Sequence, residues 1–542
     1  LRTAPTAAAV LLSVLAASFF GFGLIRASAP TYDEPVHLAA GFTDLVHGHY
    51  RLNALDHPPL GEMWAALPLL GLGLDRFATH PAWLDAAVYH YGDLFLYHNR
   101  VPAERILGSA RLWNLITLTL LVAVALLPWA KRLDGDAGLW GAAAALAFCV
   151  PWFSNAALVT TDAVSAALFF AACAAFSVPD RTWRSYLLGG AAVGAALVSK
   201  FNMILLPPLL VFALVADRLP DKARGPRAGR VVGAVAAALV VMAAAYRFAR
   251  LDLYFAGLTA TLTRLSEGRS AYLLGAHSAT GWLWYFPAAI LVKTPLPLLL
   301  VGGWGFWRAL RKPRAQAAWL VIPPCGYMVA ALASKTQIGY RHILPVYPFL
   351  CLWAAVGVAD LWRRGTRGRA AAALAGAWLA VSVIAQHPQH LSYFNELAGG
   401  HGERWLSDSN LDWGQDLPAL ARELAARGNP VVVLAYFGSG DPAAYGVRYA
   451  PVGVVANVDR AGNAVLTPGA PLWLAVSETN LVGTYYRDPE LFSWLRTRTP
   501  AAVPGGSIWL YDLTADAEGR ARVAALLAAS GRPGDAAALG VH

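Results

Sequence analysis

Residues 6–25 read TAAAVLLSVLAASFFGFGLI, and residues 31–37 beyond them read TYDEPVH. The first run carries no charge and has the length, about 20 residues, at which a helix crosses the hydrocarbon core of a bilayer. An acidic pair, Asp33 and Glu34, stands at its exit. The same test along the chain finds about eleven charge-poor stretches. They lie near 6–25, 109–130, 137–155, 158–177, 185–199, 201–216, 231–248, 282–307, 316–334, 343–361 and 370–386. Two of them are short and meet at Ser199-Lys200-Phe201-Asn202, which reads as a buried hairpin with a lysine at its tip.

Composition agrees with a polytopic α-helical membrane protein. Of 542 residues, 57% are apolar and 14% are charged, against roughly 25% charged in soluble domains. Mean hydropathy is +0.46. Disorder, a secreted disulfide scaffold and a compact soluble enzyme are excluded. Cys149, Cys173, Cys325 and Cys351 all sit in apolar runs, where cysteine acts as a small hydrophobic side chain, and no CxxC metal site is present.

The net charge of +10 has a simple distribution. Alternate loops are basic: Lys131 and Arg132; Arg181 and Arg184; Arg218, Lys222, Arg224, Arg227 and Arg230; Arg308, Arg311, Lys312 and Arg314; Arg363, Arg364, Arg367 and Arg369. Short loops rich in Lys and Arg stay in the cytoplasm, so an odd number of spans puts the N-terminus inside and the C-terminus outside. The excess is a topology signal that also suits membrane lipid heads, and no nucleic-acid partner is expected.

Two regions then lie outside: a first loop, 26–108, within the transmembrane domain of residues 1–386, and a tail, 387–542. The tail has strand-like runs at 431–436, 472–476 and 507–511 and a helix-like run at 417–426, which together read as a small α/β domain. Ala27-Ser28-Ala29-Pro30 has the look of a cleavage site, but the apolar run before it is long, and a retained signal anchor is the reading.

In the first loop, Asp33 is placed to cap a helix from Pro35 to about His47, with Glu34 in its first turn and His37 one turn on. Val36, Ala39, Ala40 and Val46 give it an apolar face suited to the membrane interface. The turn His57-Pro58-Pro59 opens a second such helix through Leu70. On these residues alone, the acidic pair reads equally as caps on a surface helix or as chemistry, and His57 equally as a sugar or phosphate contact or as a turn bond. Asp33, Arg111, Asp162 and Lys200 come from distant stretches of the chain yet map to one membrane face, and scarce ionisable residues at a membrane boundary are functional candidates.

The set resembles a family. Asp33-Glu34 after the first span, Leu55-Asp56-His57-Pro58-Pro59-Leu60, Ser109-Ala110-Arg111-Leu112, Thr161-Asp162-Ala163 and Ser199-Lys200 follow the order seen in GT-C glycosyltransferases of the protein O-mannosyltransferase and aminoarabinose-transferase group. The resemblance implies a bacterial inner-membrane enzyme with its site and tail on the periplasmic side. Its donor would be a polyprenyl-phosphate-linked sugar, its acceptor a hydroxyl of a lipid, glycan or protein, and its reaction an inversion. It makes Asp33 the base, with Glu34 or His37 orienting it or binding acceptor hydroxyls. Arg111 and Lys200 would bind the donor phosphate, which arginine grips bidentately and lysine meets as a point charge.

Lys293, Lys335, Arg341 and His342 are further basic residues on that side. Arg341 and His342 read alternatively as interfacial anchors beside Tyr340 and Tyr347, and Lys293, deep in the 282–307 run, as a snorkelling residue. No cofactor is called for, and a divalent metal stays open. Asp408, Asn410, Asp412 and Asp416 alternate like calcium ligands, but the glycine falls one place late and Ala419 stands at the twelfth position, so an EF-hand match fails. A capped turn leading into 417–426 is the reading there, with metal or acceptor binding the alternative. The other functions left open are a lipid or solute transporter, which would carry midplane charges in broken helices, and a non-catalytic membrane scaffold.

Overall fold

The computed structural model describes residues 4–218, 228–453 and 458–540. Lys222, Arg224 and Arg227 of the basic loops lie outside the described residues. Six described helices are long and apolar enough to cross a membrane: Ala4–Ala27, Ala103–Ala147, Ala228–Ala245, Arg314–Leu332, Tyr340–Arg363 and Thr366–Ala385. The second holds 45 residues, about 68 Å at 1.5 Å per residue and far more than one crossing. It breaks at Asp134 and at Gly135, whose φ of 66° suits glycine, so the expected span 109–130 lies in its first arm; the expected span 137–155 is corrected, because the second arm ends at Ala147 and a separate short helix, Val150–Ala156, opens at Pro151. Shorter helices, Thr161–Phe176, Trp183–Leu197 and Leu206–Arg218, complete the hairpin that carries Lys200 at its turn.

A second expected span is corrected as well. The run 282–307 is two helices, Tyr285–Lys293 and Leu296–Ala309, separated at Thr294 and Pro295. Proline lacks the N–H that would continue the ladder, which ends the first helix and starts the second.

The first loop folds into Glu34–His47, Pro59–Ala66, Pro81–Leu84 and Val88–Tyr97 around its own core of Leu38, Phe42, Tyr91, Phe95 and Ile106. Asp33 occupies the N-cap position of Glu34–His47, but its side chain makes no capping bond. The second expected helix ends at Ala66, and a 3-10 turn continues it over Leu67–Gly71.

A two-stranded hairpin, β1 (Ala271–Leu273) and β2 (Ala276–Ser278), follows the helix Asp252–Glu267. The tail builds a four-stranded sheet from β3 (Val432–Ala435), β4 (Tyr449–Pro451), β5 (Trp473–Ser477) and β6 (Ile508–Asp512), in the order β4-β3-β5-β6. β3 is parallel to both neighbours and β6 is antiparallel to β5. Helix Leu417–Ala425 packs on one face of this sheet and Ala517–Ala529 on the other.

The helices Leu296–Ala309 and Tyr347–Arg363 cross closely because glycines face backbone. A Cβ on Gly305 would lie 1.7 Å from the Trp353 carbonyl oxygen, and one on Gly357 2.4 Å from that of Val301. Small residues at such a crossing let backbones approach. Gly305→Val should therefore cost about 1–3 kcal/mol of overpacking strain, read as a clear fall in Tm in detergent, whereas Gly303→Ala, where a Cβ meets nothing within 4 Å, should leave Tm unchanged.

Candidate active site

A cleft of about 480 Å³ opens where the first loop, the Lys200 turn, the end of Asp252–Glu267 and the segment 336–342 meet. Of the residues singled out from the sequence, Asp33, His37, His57, Lys200, Arg341 and His342 line it. Asp162 sits directly behind, its carboxylate bonded by Lys200 Nζ and 3.5 Å from Arg341 Nη1. The same Arg341 nitrogen is 3.4 Å from Asp33 Oδ2. The two carboxylates differ in access: the Asp33 side chain is 29% exposed and that of Asp162 is 2%. Asp33 is thus open to a ligand, while Asp162 holds two cations in place from within the protein. His342 faces the cleft with Nε2 unpartnered.

Glu34, Arg111 and Lys293 do not line the cleft. Glu34 is fully buried, against its reading as a surface cap, because Arg111 meets both its oxygens. The Val159 N–H donates to Oε1 at 2.8 Å, and the Thr31 N–H and hydroxyl donate to Oε2 at 2.7 and 3.0 Å. Arg111 gives two more of its N–H groups to the carbonyls of Ser28 and Ala29, at 3.0 and 2.8 Å. Burial alone would raise the Glu34 pKa, but the charge and hydrogen bonds of Arg111, with the two backbone donors, outweigh it and hold the carboxyl below its ordinary range. Lys293 is 1% exposed, donates to the carbonyls of Leu391 and Asn410, and lies 4.3 Å from the Phe394 ring centroid.

Beside Asp33 lies a chain of polar groups to which sequence alone assigns no role as a unit. His37 Nδ1 is 2.8 Å from Glu62 Oε1, which also accepts from Asn53. The His37 and His57 rings meet edge to face at 4.8 Å, and His57 Nδ1 is 3.4 Å from the Thr161 hydroxyl. Burial lowers the pKa of His37, yet the bond and charge of Glu62 reverse the sign and raise it. Burial together with the charges of His37 and Lys200 pushes His57 well below the ordinary histidine range. The available signal for Glu62 is its position one turn after the His-Pro-Pro bend.

The tail supplies a brace behind the cleft that no local pattern reveals. Arg341 Nε donates to Ser409 Oγ at 3.1 Å, and its guanidinium lies 4.1 Å from the Trp413 ring centroid. Tyr32 N–H donates to Trp413 O at 2.9 Å and Ala29 N–H to Gln415 O at 2.8 Å, so the tail pairs with the residues just before Asp33. The oxygens of 408–416 do not converge on one point. Tyr485 and the Ser409 N–H bond Asp408; the Tyr340 N–H bonds Asn410; the N–H groups of Thr479 and Gly414 bond Asp412; Ser507 bonds Asp416. Among the described residues no group of three or more His, Cys, Asp or Glu is disposed to hold a metal ion. Arg264 and Arg269 also line the cleft; Arg264 pairs with Asp56, and Arg269 lies 5.2 Å from the Tyr485 ring centroid. Their cue is a pair of arginines five residues apart on the expected outer side.

This architecture matches known structures. ArnT from Cupriavidus metallidurans in the apo state aligns over 92% of this chain and 97% of its own, at 15% identity and a TM-score of 0.50. The chain has a GT-C fold. The same ArnT bound to undecaprenyl phosphate aligns with a TM-score of 0.48 at 15% identity, over 92% of this chain and 97% of that one. An oligosaccharyltransferase of Archaeoglobus fulgidus, in complex with zinc and sulfate, aligns over 94% and 73% of the two chains with a TM-score of 0.43 at 12% identity. No family profile and no curated protein matches the sequence.

The Glu34–Arg111 pair yields a stability test. Removing one partner of a buried pair strands the other charge, at about 3–5 kcal/mol, so Arg111→Met should lower Tm far more than Asp33→Asn. The depressed pKa of Glu34 adds stability that is complete above the ordinary glutamate range and is lost as pH falls through the folded value. A Glu34→Gln variant should accordingly lose Tm at neutral pH and show a flatter decline toward acid than the unmodified protein.

Proposed function

We propose that this protein is an inverting membrane glycosyltransferase. It moves a sugar from a polyprenyl-phosphate donor to an acceptor hydroxyl on the periplasmic face of a bacterial inner membrane. The observation that carries this reading is Asp33, an uncapped, accessible carboxylate at the mouth of a cleft whose other residues include Lys200, Arg269 and Arg341. ArnT, whose fold the chain shares, has also been solved with undecaprenyl phosphate, a ligand of the donor class proposed here.

The chemistry follows from the groups present. A sugar on a phosphate already has a competent leaving group, so the protein must deprotonate an acceptor, align it and neutralise the departing charge. Asp33 takes the acceptor hydroxyl proton as that oxygen attacks C1 from the face opposite the phosphate. The C1–O bond breaks, its electron pair stays on the phosphate oxygen, and the anomeric centre inverts. Lys200 and Arg341, held by Asp162, receive the phosphate, with Arg269 and the free His342 nitrogen beside them. Glu34 and Arg111 act one step removed, as positioning residues that fix the chain at Asp33. His37, oriented by Glu62, is placed to bind acceptor hydroxyls. The tail, 387–542, is read as the periplasmic domain that closes the cleft. A transporter would carry its charges at mid-bilayer; here Asp33, Lys200 and Arg341 lie in loops and turns at helix ends, which favours the transferase.

Asp33→Asn should reduce turnover of polyprenyl-phosphate sugars by about 10²–10⁴, the usual worth of a general base, with elution and Tm unchanged. Mass spectrometry of lipids co-purified with that variant should find the unreacted donor. Unchanged turnover would remove Asp33 from the base role, and bulk phospholipid alone with no turnover of any such donor would favour transport or a scaffold. Burial and the neighbouring charges of His37 and Lys200 push His57 well below the ordinary histidine range, so it is not expected to set a limb near that range. In a rate profile, His57→Gln should lower turnover while keeping the shape of the curve; a lost limb would make His57 the titrating group.

A further inference from the structure

Away from the cleft, a groove of about 430 Å³ runs between the second arm of Ala103–Ala147 and the last span, Thr366–Ala385, floored by Leu296–Ala309 and Tyr347–Arg363. Its walls are small side chains, among them Ala137, Gly141 and Ala144 on one side and Ala372 and Gly376 on the other. The last span leans on the bundle through few residues; only Gly368, Leu379 and Val383 of it are buried. In a bilayer a gap between two such helices must be filled by hydrocarbon, because empty apolar walls forfeit their dispersion contacts. Its volume is within the range of about 300–1,000 Å³ typical of ligand pockets.

Shape and charge identify the occupant. The groove follows the second arm from Asp136 to Ala145, about 14 Å of helix and so about half of the 30 Å hydrocarbon core, the depth of one leaflet. Trp140 and Trp362 stand half-exposed at its mouth, where interfacial aromatics belong. Arg369 is exposed and its guanidinium lies 5.4 Å from the Trp362 ring centroid, Arg367 is exposed on the same turn, and Lys131 offsets Asp136 at 3.1 Å. Basic residues at a membrane surface attract anionic lipid heads. The helix Tyr347–Arg363 starts shortly after Arg341 and carries Trp362 at its far end, so the mouth lies about 25 Å from the cleft.

The geometry points to a phospholipid site: one acyl chain of an anionic phospholipid fills this groove, with its phosphate against Arg369 and Arg367. The site is separate from the donor site and stands whether or not the transferase reading holds.

Gly376→Leu is the decisive variant, since a Cβ there meets nothing within 4 Å and leucine is the better helix former; it fills the groove without displacing packed atoms. Native mass spectrometry of the detergent-solubilised full chain, titrated with phosphatidylglycerol or phosphatidylcholine, reads the result. The unmodified protein should hold one phosphatidylglycerol about tenfold more tightly than phosphatidylcholine. Gly376→Leu should weaken that binding about tenfold at unchanged Tm, and Arg369→Gln, on an exposed side chain, should erase the preference between heads. Equal binding of the two lipids, or full retention by Gly376→Leu, would overturn the site. Displacement of phosphatidylglycerol by polyprenyl phosphate in the unmodified protein but not in Gly376→Leu would assign the groove to the donor's tail, and a dimer lost in Gly376→Leu would assign it to a second copy; either overturns the proposal. Should the leucine variant not fold, loss or retention of head preference in Arg369→Gln decides alone.

Discussion

The ion pair of Glu34 with Arg111 is the contact on which the cleft depends. Both residues are almost wholly removed from solvent, Arg111 at 1% exposure and Glu34 at 0%, so the pair must offset several kcal/mol of desolvation per ion. It does so only because the lone pairs and N–H groups around it are met: Thr31, Val159, Ser28 and Ala29 complete what the two side chains leave over. The pair therefore joins the exit of the first span, the start of the second and the residues before Thr161-Asp162. The first of those segments then delivers Asp33 to the cleft, and the third delivers Asp162 directly behind it. Of two adjacent carboxylates, Glu34 is consumed in holding the chain, and Asp33, one residue earlier, is left without a capping bond and open to the cleft.

Much of this is legible in the sequence, and the boundary of legibility has a physical basis. Crossing a membrane imposes length and hydropathy, which a sequence displays directly; that is why the two arms around Gly135 and the Lys200 turn are readable. The run 282–307 misleads because hydropathy does not register a missing N–H, and Pro295 breaks the helix without changing the average. Scarce charges in an apolar chain also advertise themselves, and Asp33, Asp162, Lys200 and Arg341 do come together. What their scarcity cannot report is direction. Glu34 faces inward and Asp33 faces the cleft, although they are neighbours, and that difference is set by Arg111, 77 positions from Glu34.

Trp413 and Ser409 are out of reach for a related reason. Their stretch draws attention for the spacing of its oxygens, as a metal loop would, yet each of these residues has a different distant partner. Asp412 answers Thr479, Asp416 answers Ser507, and Asn410 answers Tyr340, at separations of 67, 91 and 70 residues. Local spacing is evidence for a ligand only where the backbone turns all donors toward one point. A 3-10 turn over Asp408–Asn410, with Asp408 at a φ of 57°, splays them instead.

That splay lets the tail reach the residues that frame the cleft. Segment 409–415 reaches two cleft elements at once: Ser409 and Trp413 grip Arg341, and the backbone of Trp413 and Gln415 pairs with Tyr32 and Ala29. The Tyr32 ring stacks on Phe437 at 5.0 Å, two residues beyond the end of β3, and Ser439 donates to Thr31 O at 3.2 Å. A cation over a desolvated indole is worth up to about 2 kcal/mol, and the guanidinium it fixes here is the one shared between Asp33 and Asp162. Displacing the tail would thus release Arg341 and loosen the segment before Asp33 together. The tail and the first loop are tied together at the cleft, because Arg341 and the residues just before Asp33 are braced by the same seven residues.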